Sequence, residues 1–311
     1  MSTVVNVGDQ PTEHLLSDHE IATLNKPRRD WKWWAGMIGS VVGMGFIVLY
    51  CILPFYWMVV SSLRLPSDGR STDLLPNPAS VENYFAVFSP ANNFTQALFN
   101  SILVSTVTTV LTLLFGIMAA YALARLRFRM KGLVLSVIIG CSMFPGITLL
   151  IPLFKMFTGA YEWFPWNWMN TYQAIIIPSL SFGLPLCVWN LTAFFRQMPV
   201  ELEQAAMVDG CTPGQAFTKI ILPLAAPGVF TTAIITFIAV WNEFMIAYTF
   251  GTRPEMFTAV NALSRFTGQY GFDTPWGTIM AAGVLLTVPL IIVVLIFQRR
   301  IVAGLTAGGV K

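Results

Sequence analysis

Six stretches of the chain are long, apolar and almost free of charged side chains. The charge-free windows are residues 33–63, 83–124, 132–154, 163–195, 220–242 and 274–298. A helix needs about 20 mostly apolar residues to cross roughly 30 Å of hydrocarbon. Within each window the apolar residues do not alternate with polar ones, which indicates helices in lipid rather than strands. The pattern predicts membrane spans at about 34–60, 97–124, 133–154, 174–195, 222–248 and 277–298.

The composition agrees with a membrane protein. Of the 311 residues, 55% are hydrophobic and only 11% are charged, whereas a soluble domain carries about 25% charged residues. These values argue against a purely soluble globular protein and exclude disorder for the body of the chain. The formal net charge of +3 gives no reason to expect nucleic acid as a partner. We therefore predict an all-α membrane protein with six transmembrane helices.

The side chains that carry enzyme chemistry are scarce. The two histidines, His14 and His19, both precede the first span, and the four cysteines have no metal-ligand spacing. No Gly-x-x-x-x-Gly-Lys-Ser/Thr stretch exists, so the chain has no P-loop to bind ATP phosphates. We predict that the chain is not an enzyme and holds no metal or cofactor.

Lysine and arginine positions predict the orientation. With the N-terminus in the cytoplasm, 13 of the 18 basic residues lie on the inner side, including the cluster of Arg125, Arg127, Arg129 and Lys131. Positive residues favour the cytoplasmic side, so both termini are expected there. The predicted organisation is a cytoplasmic tail at 1–32 that is not a signal peptide, one six-helix transmembrane domain at 33–300 and a cytoplasmic tail at 301–311.

The loop at residues 196–219 is the most structured polar segment. Pro199 can occupy the first helical position, Gly210 can end the helix, and Thr212 can cap a second helix. One small apolar face is formed by Leu202, Ala205 and Ala206. By these residues alone, the helix either docks in a groove of another protein or merely reverses the chain.

The same loop resembles the EAA loop of binding-protein-dependent ABC importer permeases. The family pattern is Glu-Ala-Ala, three residues, Gly, nine residues, Ile, one residue and Leu-Pro. Every step of this spacing is present, in Ala205, Ala206, Gly210, Ile220, Leu222 and Pro223. Gln204 stands where the family usually has Glu, although Glu203 keeps a carboxylate nearby.

Further segments are similar to the carbohydrate, or maltose-type, branch of that family. They are residues 119–125, 143–145, 194–195, 241–243 and 304–308. The tail from Gln298 and the stretch 216–228 look closest to actinobacterial disaccharide importers of the trehalose-recycling kind. The resemblance covers nearly the whole chain after about residue 35.

The resemblance implies a type I importer permease in the bacterial cytoplasmic (inner) membrane. Such a chain forms the path with a second permease chain, two ATPase subunits hydrolyse ATP with Mg, and an extracytoplasmic solute-binding protein or lipoprotein delivers a neutral sugar. The helix at 199–212 would couple to the ATPase. The coupling residues are predicted to be Glu203, Gln204, Ala205, Ala206, Asp209, Gly210, Leu222 and Pro223.

Two further sets of residues are weaker candidates. Polar candidates for the substrate path are Asn190, Thr192, Trp241, Asn242 and Glu243. The outer loop at 249–276 resembles the loop that enters the binding protein in this family. Its candidate contacts are Phe257, Phe266, Tyr270 and Phe272.

Two alternative functions are kept. An ion-gradient-driven secondary transporter would need carboxylates or histidines within its spans, and only Glu243 near a span end qualifies. An ABC importer of a polyol or glycerol phosphate is the other alternative, although a phosphate substrate would favour basic groups in the path, and the spans have none.

Overall fold

The computed structural model describes the backbone of residues 31–266 and 274–307, with side chains described in 31–266 and 274–297. These residues are almost entirely helical, as predicted, and contain no strand beyond one isolated bridge between Tyr161 and Phe164. The predicted tail before residue 31, the last four residues, Tyr270 and Phe272 lie outside the described residues.

The described residues fall into two units, with the boundary between Tyr56 and Trp57. Helix α1 (Trp31–Ser62) crosses this boundary and supplies all the described residues of the first unit. The side chains of residues 31–56 are mostly apolar and all exposed. A helix that is apolar on every side is typical of a lipid-facing span.

The second unit contains the remaining helices. The long ones are α3 (Phe94–Arg125), α6 (Tyr172–Gln197), α10 (Ala226–Trp241) and α13 (Trp276–Ala307). The shorter ones are α2 (Glu82–Val87), α4 (Lys131–Ser142), α5 (Gly146–Phe157), α7 (Glu201–Val208), α8 (Pro213–Ala216), α9 (Leu222–Leu224), α11 (Met245–Phe250) and α12 (Ala259–Leu263).

Small residues allow α3, α6 and α10 to pack closely. Gly116 of α3 lies against the Cys187 side chain of α6, and Gly183 of α6 lies beside Thr112 and Thr236. Such small and hydroxyl side chains are typical of helix interfaces in membranes, where close backbone approach and polar contacts replace the hydrophobic effect. Helix α13 packs on α10, and the Phe230 and Phe297 rings stack there with centroids 5.6 Å apart.

The predicted spans are present, but two of them are bent. Among the described residues, four helices are long and apolar enough to cross a membrane without a break, and two helix pairs qualify if each bent pair counts as one span. One pair is α4 and α5, which meet at an angle of 87°. The other joins the segment Pro213–Leu224 to α10 at 70°. The count of six spans therefore requires both bent pairs.

Proline explains both bends. Pro145 has φ −64° and ψ 117°, an extended conformation, just before α5, and a proline also disfavours helical geometry in the residue before it. Pro227 near the start of α10 has no N–H to donate, and its ring crowds the carbonyl four residues earlier. The predicted span at 133–154 corresponds to the bent pair α4 and α5, and the sequence analysis did not anticipate the bend. The predicted span at 222–248 was also too long, because α10 ends at Trp241.

Candidate functional site

The 196–219 loop folds into two short helices. The first, α7, starts at Glu201, two residues after the predicted start at Pro199, and its N-cap Val200 makes no side-chain cap. Gly210 follows the helix with φ +88°, in the left-handed region that glycine adopts without strain. Thr212 and Gln215 form a capping box at the start of α8, as the sequence predicted for Thr212. A π-helical turn at Phe217–Ile221 then leads to α9.

Helix α7 packs one narrow face against the rest of the chain and leaves a larger face exposed. Glu203 and Ala206 are buried, whereas the other residues of the helix are exposed. The predicted apolar face is therefore divided, because Ala206 packs inside the chain while Leu202 and Ala205 stay exposed. Val208 is 87% exposed. The exposed side of α7 is the surface available to another protein.

The other predicted coupling residues lie on the exposed side of α7 or follow the helix in the chain. Gln204, Asp209 and Gly210 are exposed. Leu222 is half-buried and Pro223 is exposed, and both belong to α9 immediately before the 70° bend. The predicted coupling residues thus form two groups, one at α7 and its end and one in α9 before the bend, separated by α8 and the π-helical turn.

The buried Glu203 carboxylate is held by the last turns of α3. Tyr121 donates a hydrogen bond from its hydroxyl to Oε1, and Arg125 Nε lies 3.3 Å from Oε2. Arg125 also donates from Nη2 to the Met198 carbonyl at 3.0 Å. The Arg125 and Glu203 side chains are only 10% and 11% exposed. Sequence reasoning missed this arrangement, because Tyr121 lies 82 residues from Glu203 in the chain.

The substrate-path candidates do not form one cluster. Phe194 of α6 lies beside Gly228 of α10, and Gly183 lies beside Thr236, so the two helices run antiparallel. Asn190 and Thr192 therefore sit near the start of α10, whereas residues 241–243 follow its other end. About ten residues of helix, or roughly 15 Å, separate the two levels.

The residues around the end of α10 have contacts within the chain. Trp241 is buried and stacks on Phe237 with centroids 5.7 Å apart. The Glu243 carboxylate accepts hydrogen bonds from the Ile246 and Ala247 amides at 2.8 and 3.0 Å, and so caps α11. Asn242 is exposed. Glu243 thus has a structural role at the break between α10 and α11, and its substrate-path role stays a prediction.

The 249–276 loop is anchored by asparagines. Asn100 of α3 donates to the carbonyls of Glu255 and Phe257 at 2.8 and 2.9 Å, and its Oδ1 accepts from the Tyr172 hydroxyl at 2.8 Å. The Asn170 Oδ1 accepts from the Thr252 and Arg253 amides at 2.7 and 2.8 Å. These contacts hold the described part of the loop in one conformation, and sequence reasoning had not singled out either asparagine.

The two described aromatic candidates in this loop differ. Phe266 is 8% exposed and packs edge-on against Phe94 at 6.0 Å, so its ring is occupied within the chain. Its contact with a binding protein stays a prediction. Phe257 is half-buried, and the exposed Arg265 guanidinium lies 4.5 Å from the centroids of both Phe257 and Tyr248. Phe257 therefore remains a candidate contact for a binding protein, and the positive charge of Arg265 lies beside it.

A cavity of about 790 Å³ lies between the bent pair α4–α5 and α6. Its lining is mainly apolar and includes Phe144, Met156 and Phe182, with Ser142 and Ser181 among its few polar residues. Both serine hydroxyls donate to carbonyls of their own helices. Tyr161 and Trp163 also line the cavity, so its other side-chain hydrogen-bonding groups come mainly from these two aromatic residues.

Comparisons with known proteins agree with this architecture. Residues 112–306 match the family described as binding-protein-dependent transport system inner membrane component. The chain is 42% identical to the trehalose transport system permease protein SugB of Mycobacterium tuberculosis, over 90% of this chain and 97% of the relative. It is 39% identical to the trehalose/maltose transport system permease protein MalG of Thermococcus litoralis, over 87% and 95%. It is 38% identical to the sulfoquinovosyl glycerol permease protein SmoH of Agrobacterium fabrum, over 87% and 92%.

Solved structures share the fold. A bacterial ABC transporter that imports the acidic polysaccharide alginate gives a TM-score of 0.71 at 20% identity, over 88% of this chain and 97% of that chain. The MetNI methionine ABC transporter gives 0.51 at 20% identity, over 68% and 95%. With the match over residues 112–306 and these relatives, the chain belongs to the binding-protein-dependent transport system inner membrane component family, as a multi-pass permease subunit of an ABC importer.

Proposed function

We propose that the chain is one of two permease chains of an ATP-driven importer of a neutral sugar, and that α7 transmits the work of separate ATPase subunits to the spans. The identity of 42% to a trehalose permease over 90% of this chain carries the proposal. In this proposal the ATPase subunits bind ATP and Mg, the second permease chain completes the path, and the chain itself performs no catalysis.

The geometry of α7 supports the coupling part of the proposal. Its exposed face carries Leu202, Ala205 and Val208, so small and apolar side chains can enter a groove on a partner. Helix α7 ends at Val208, and Gly210 follows with φ +88°, so the exposed face has a defined end. A short helix fixed at one face and exposed at the other can act as a lever between two proteins.

The sugar is proposed from relatives and from charge. Relatives named for trehalose or for trehalose and maltose are 42% and 39% identical to the chain. The six predicted spans contain no lysine or arginine. An anionic substrate would favour basic groups along the path, so a neutral disaccharide is the class we propose.

The solute-binding protein is proposed to dock at the 249–276 loop. Four contacts from Asn100 and Asn170 fix that loop before any partner arrives, which lowers the entropy lost on binding. Phe257 and Arg265 supply an aromatic ring and a positive charge at its described surface.

Reconstitution tests the proposal. The chain, its partner permease, the ATPase subunits and the binding protein are placed in liposomes, and ATP hydrolysis is measured with trehalose, maltose, a sulfoquinovosyl glycerol and an alginate oligosaccharide. We expect stimulation by a neutral disaccharide only. Stimulation by the acidic sugars alone would overturn the substrate class. Uptake without ATPase subunits would overturn the proposed energy source.

A further inference from the structure

The end of α3 contacts three separate parts of the 196–219 loop and its flanks. Arg125 binds the Met198 carbonyl just after α6 and pairs with Glu203 on α7. The Tyr121 ring lies 6.0 Å from the Phe195 ring of α6 and 4.4 Å from the Phe217 ring of the π-helical turn. One turn of α3 therefore holds the segments before, within and after α7.

The chemistry of this contact is unusual for a simple loop. Two opposite charges that are removed from water are stable only when they are paired and hydrogen-bonded, and loss of one partner leaves the other charge buried and uncompensated. Here the Glu203 carboxylate has both a positive partner in Arg125 and a hydroxyl donor in Tyr121. A buried network of this kind selects one position of α7 relative to α3.

The direction of the Glu203 side chain separates two tasks. Glu203 shares its face with the buried Ala206, while Ala205 and Val208 are exposed. The carboxylate next to the motif is therefore turned into its own chain, and the exposed face is left for a partner. Fixing α7 and docking a partner are thus carried by different side chains.

We propose that Arg125 and Tyr121 are positioning residues that lock α7 to α3 through Glu203, so that a displacement of α7 moves α3 directly. This inference rests on the proposed coupling role of α7. The chain links on either side of α7, residues 198–200 and 209–212, are short non-helical segments that permit the helix to pivot. The contacts of Glu203 with Arg125 and Tyr121 prevent this pivot, so a displacement of α7 also displaces α3, which packs along α6 and α10.

The test compares four variants in the complete importer, the fourth being Arg125→Lys. Arg125→Ala removes the charge partner, and Tyr121→Phe removes only the hydroxyl while it keeps the ring between Phe195 and Phe217. Arg127→Ala is the matched control, because Arg127 is exposed two residues further along the same basic segment. Each complex is assayed for co-purified ATPase subunits, thermal unfolding, ATP hydrolysis and sugar transported per ATP.

We expect sugar transported per ATP to fall about fivefold or more in Arg125→Ala, with a smaller fall in Tyr121→Phe. Co-purified ATPase and the unfolding temperature of Tyr121→Phe should match those of Arg127→Ala, because the exposed face of α7 is intact. Arg125→Lys, which keeps the charge, should recover part of the loss. An unchanged transport ratio in both Arg125→Ala and Tyr121→Phe would overturn the inference.

A second outcome would also overturn the lock. If Tyr121→Phe and Arg125→Ala lose the ATPase subunits in proportion to their loss of transport, these residues only shape the docking surface. The proposed function fails in a different way, namely when the unmodified complex transports sugar without ATP. The variant complexes therefore test the positioning role, and the unmodified complex tests the proposed function.

Discussion

Gly210 permits a sharp test of the α7 lever, because its replacement changes the backbone without adding a clash. Its φ of +88° lies where a side chain is strained, yet a Cβ at this position would meet no atom within 4 Å. Gly210→Ala should therefore act through the backbone alone. The strain of a non-glycine residue in the left-handed region is roughly 1–2 kcal/mol.

That strain acts on a defined set of hydrogen bonds at the end of α7. Gly210 N–H donates to the Met207 carbonyl at 3.1 Å, and Cys211 N–H donates to the Ala206 carbonyl at 3.0 Å. A penalty of roughly 1–2 kcal/mol reduces the population of this ending by a factor of about 5 to 30. The exposed residues 207–209 would then lose their fixed position beside a partner.

The assay is sugar transported per ATP hydrolysed in the reconstituted importer. We expect about a fivefold fall for Gly210→Ala and a smaller fall for Gly210→Asn, since asparagine tolerates the left-handed region. Gly214→Ala is the control, because Gly214 also faces open space but lies in α8 without a positive φ. Equal ratios for Gly210→Ala and Gly214→Ala would refute the reasoning.

Three further predictions concern packing and docking. Gly228→Ala would bring a Cβ to 2.6 Å from the Phe194 ring and should destabilise the chain by about 1–3 kcal/mol. Gly183→Ala is the control, because its Cβ would meet atoms no closer than 3.5 Å. Equal unfolding temperatures for the two variants would contradict this packing. Ala205→Glu, on the exposed face of α7, should release the ATPase subunits without altering thermal unfolding of the chain, and undiminished co-purification would place the docking surface elsewhere. Asn100→Ala leaves the Glu255 and Phe257 carbonyls without their donor and should lower the free energy of unfolding by about 1–3 kcal/mol. It should also lower the stimulation of ATP hydrolysis by the binding protein. Full stimulation would count against docking at that loop.

The spans could be predicted from sequence because lipid imposes a simple rule. Charge is expensive in hydrocarbon, so the charge-free windows located all the long helices. The same rule does not detect bends, because a break at Pro145 or after Leu224 leaves the composition unchanged. The end of α10 at Trp241 was missed for the same reason, since the apolar residues continue into α11.

The candidate site was only partly predictable. Local signals identified the Gly210 stop and the Thr212 cap, because each depends on a few neighbouring residues. The burial of Glu203 depends on Tyr121, which is 82 residues away in the chain, and no spacing rule connects the two. The occupied ring of Phe266 likewise follows from its contact with Phe94, which only the packed structure brings together.

In the proposed function, this chain moves sugar only when a separate ATPase drives it. The direct measurement is uptake of labelled trehalose into liposomes that contain the full importer, compared with liposomes that contain the chain alone under a proton or sodium gradient. We predict ATP-dependent uptake by the full importer and none by the chain alone. Gradient-driven uptake by the chain alone, without ATP, would contradict the account.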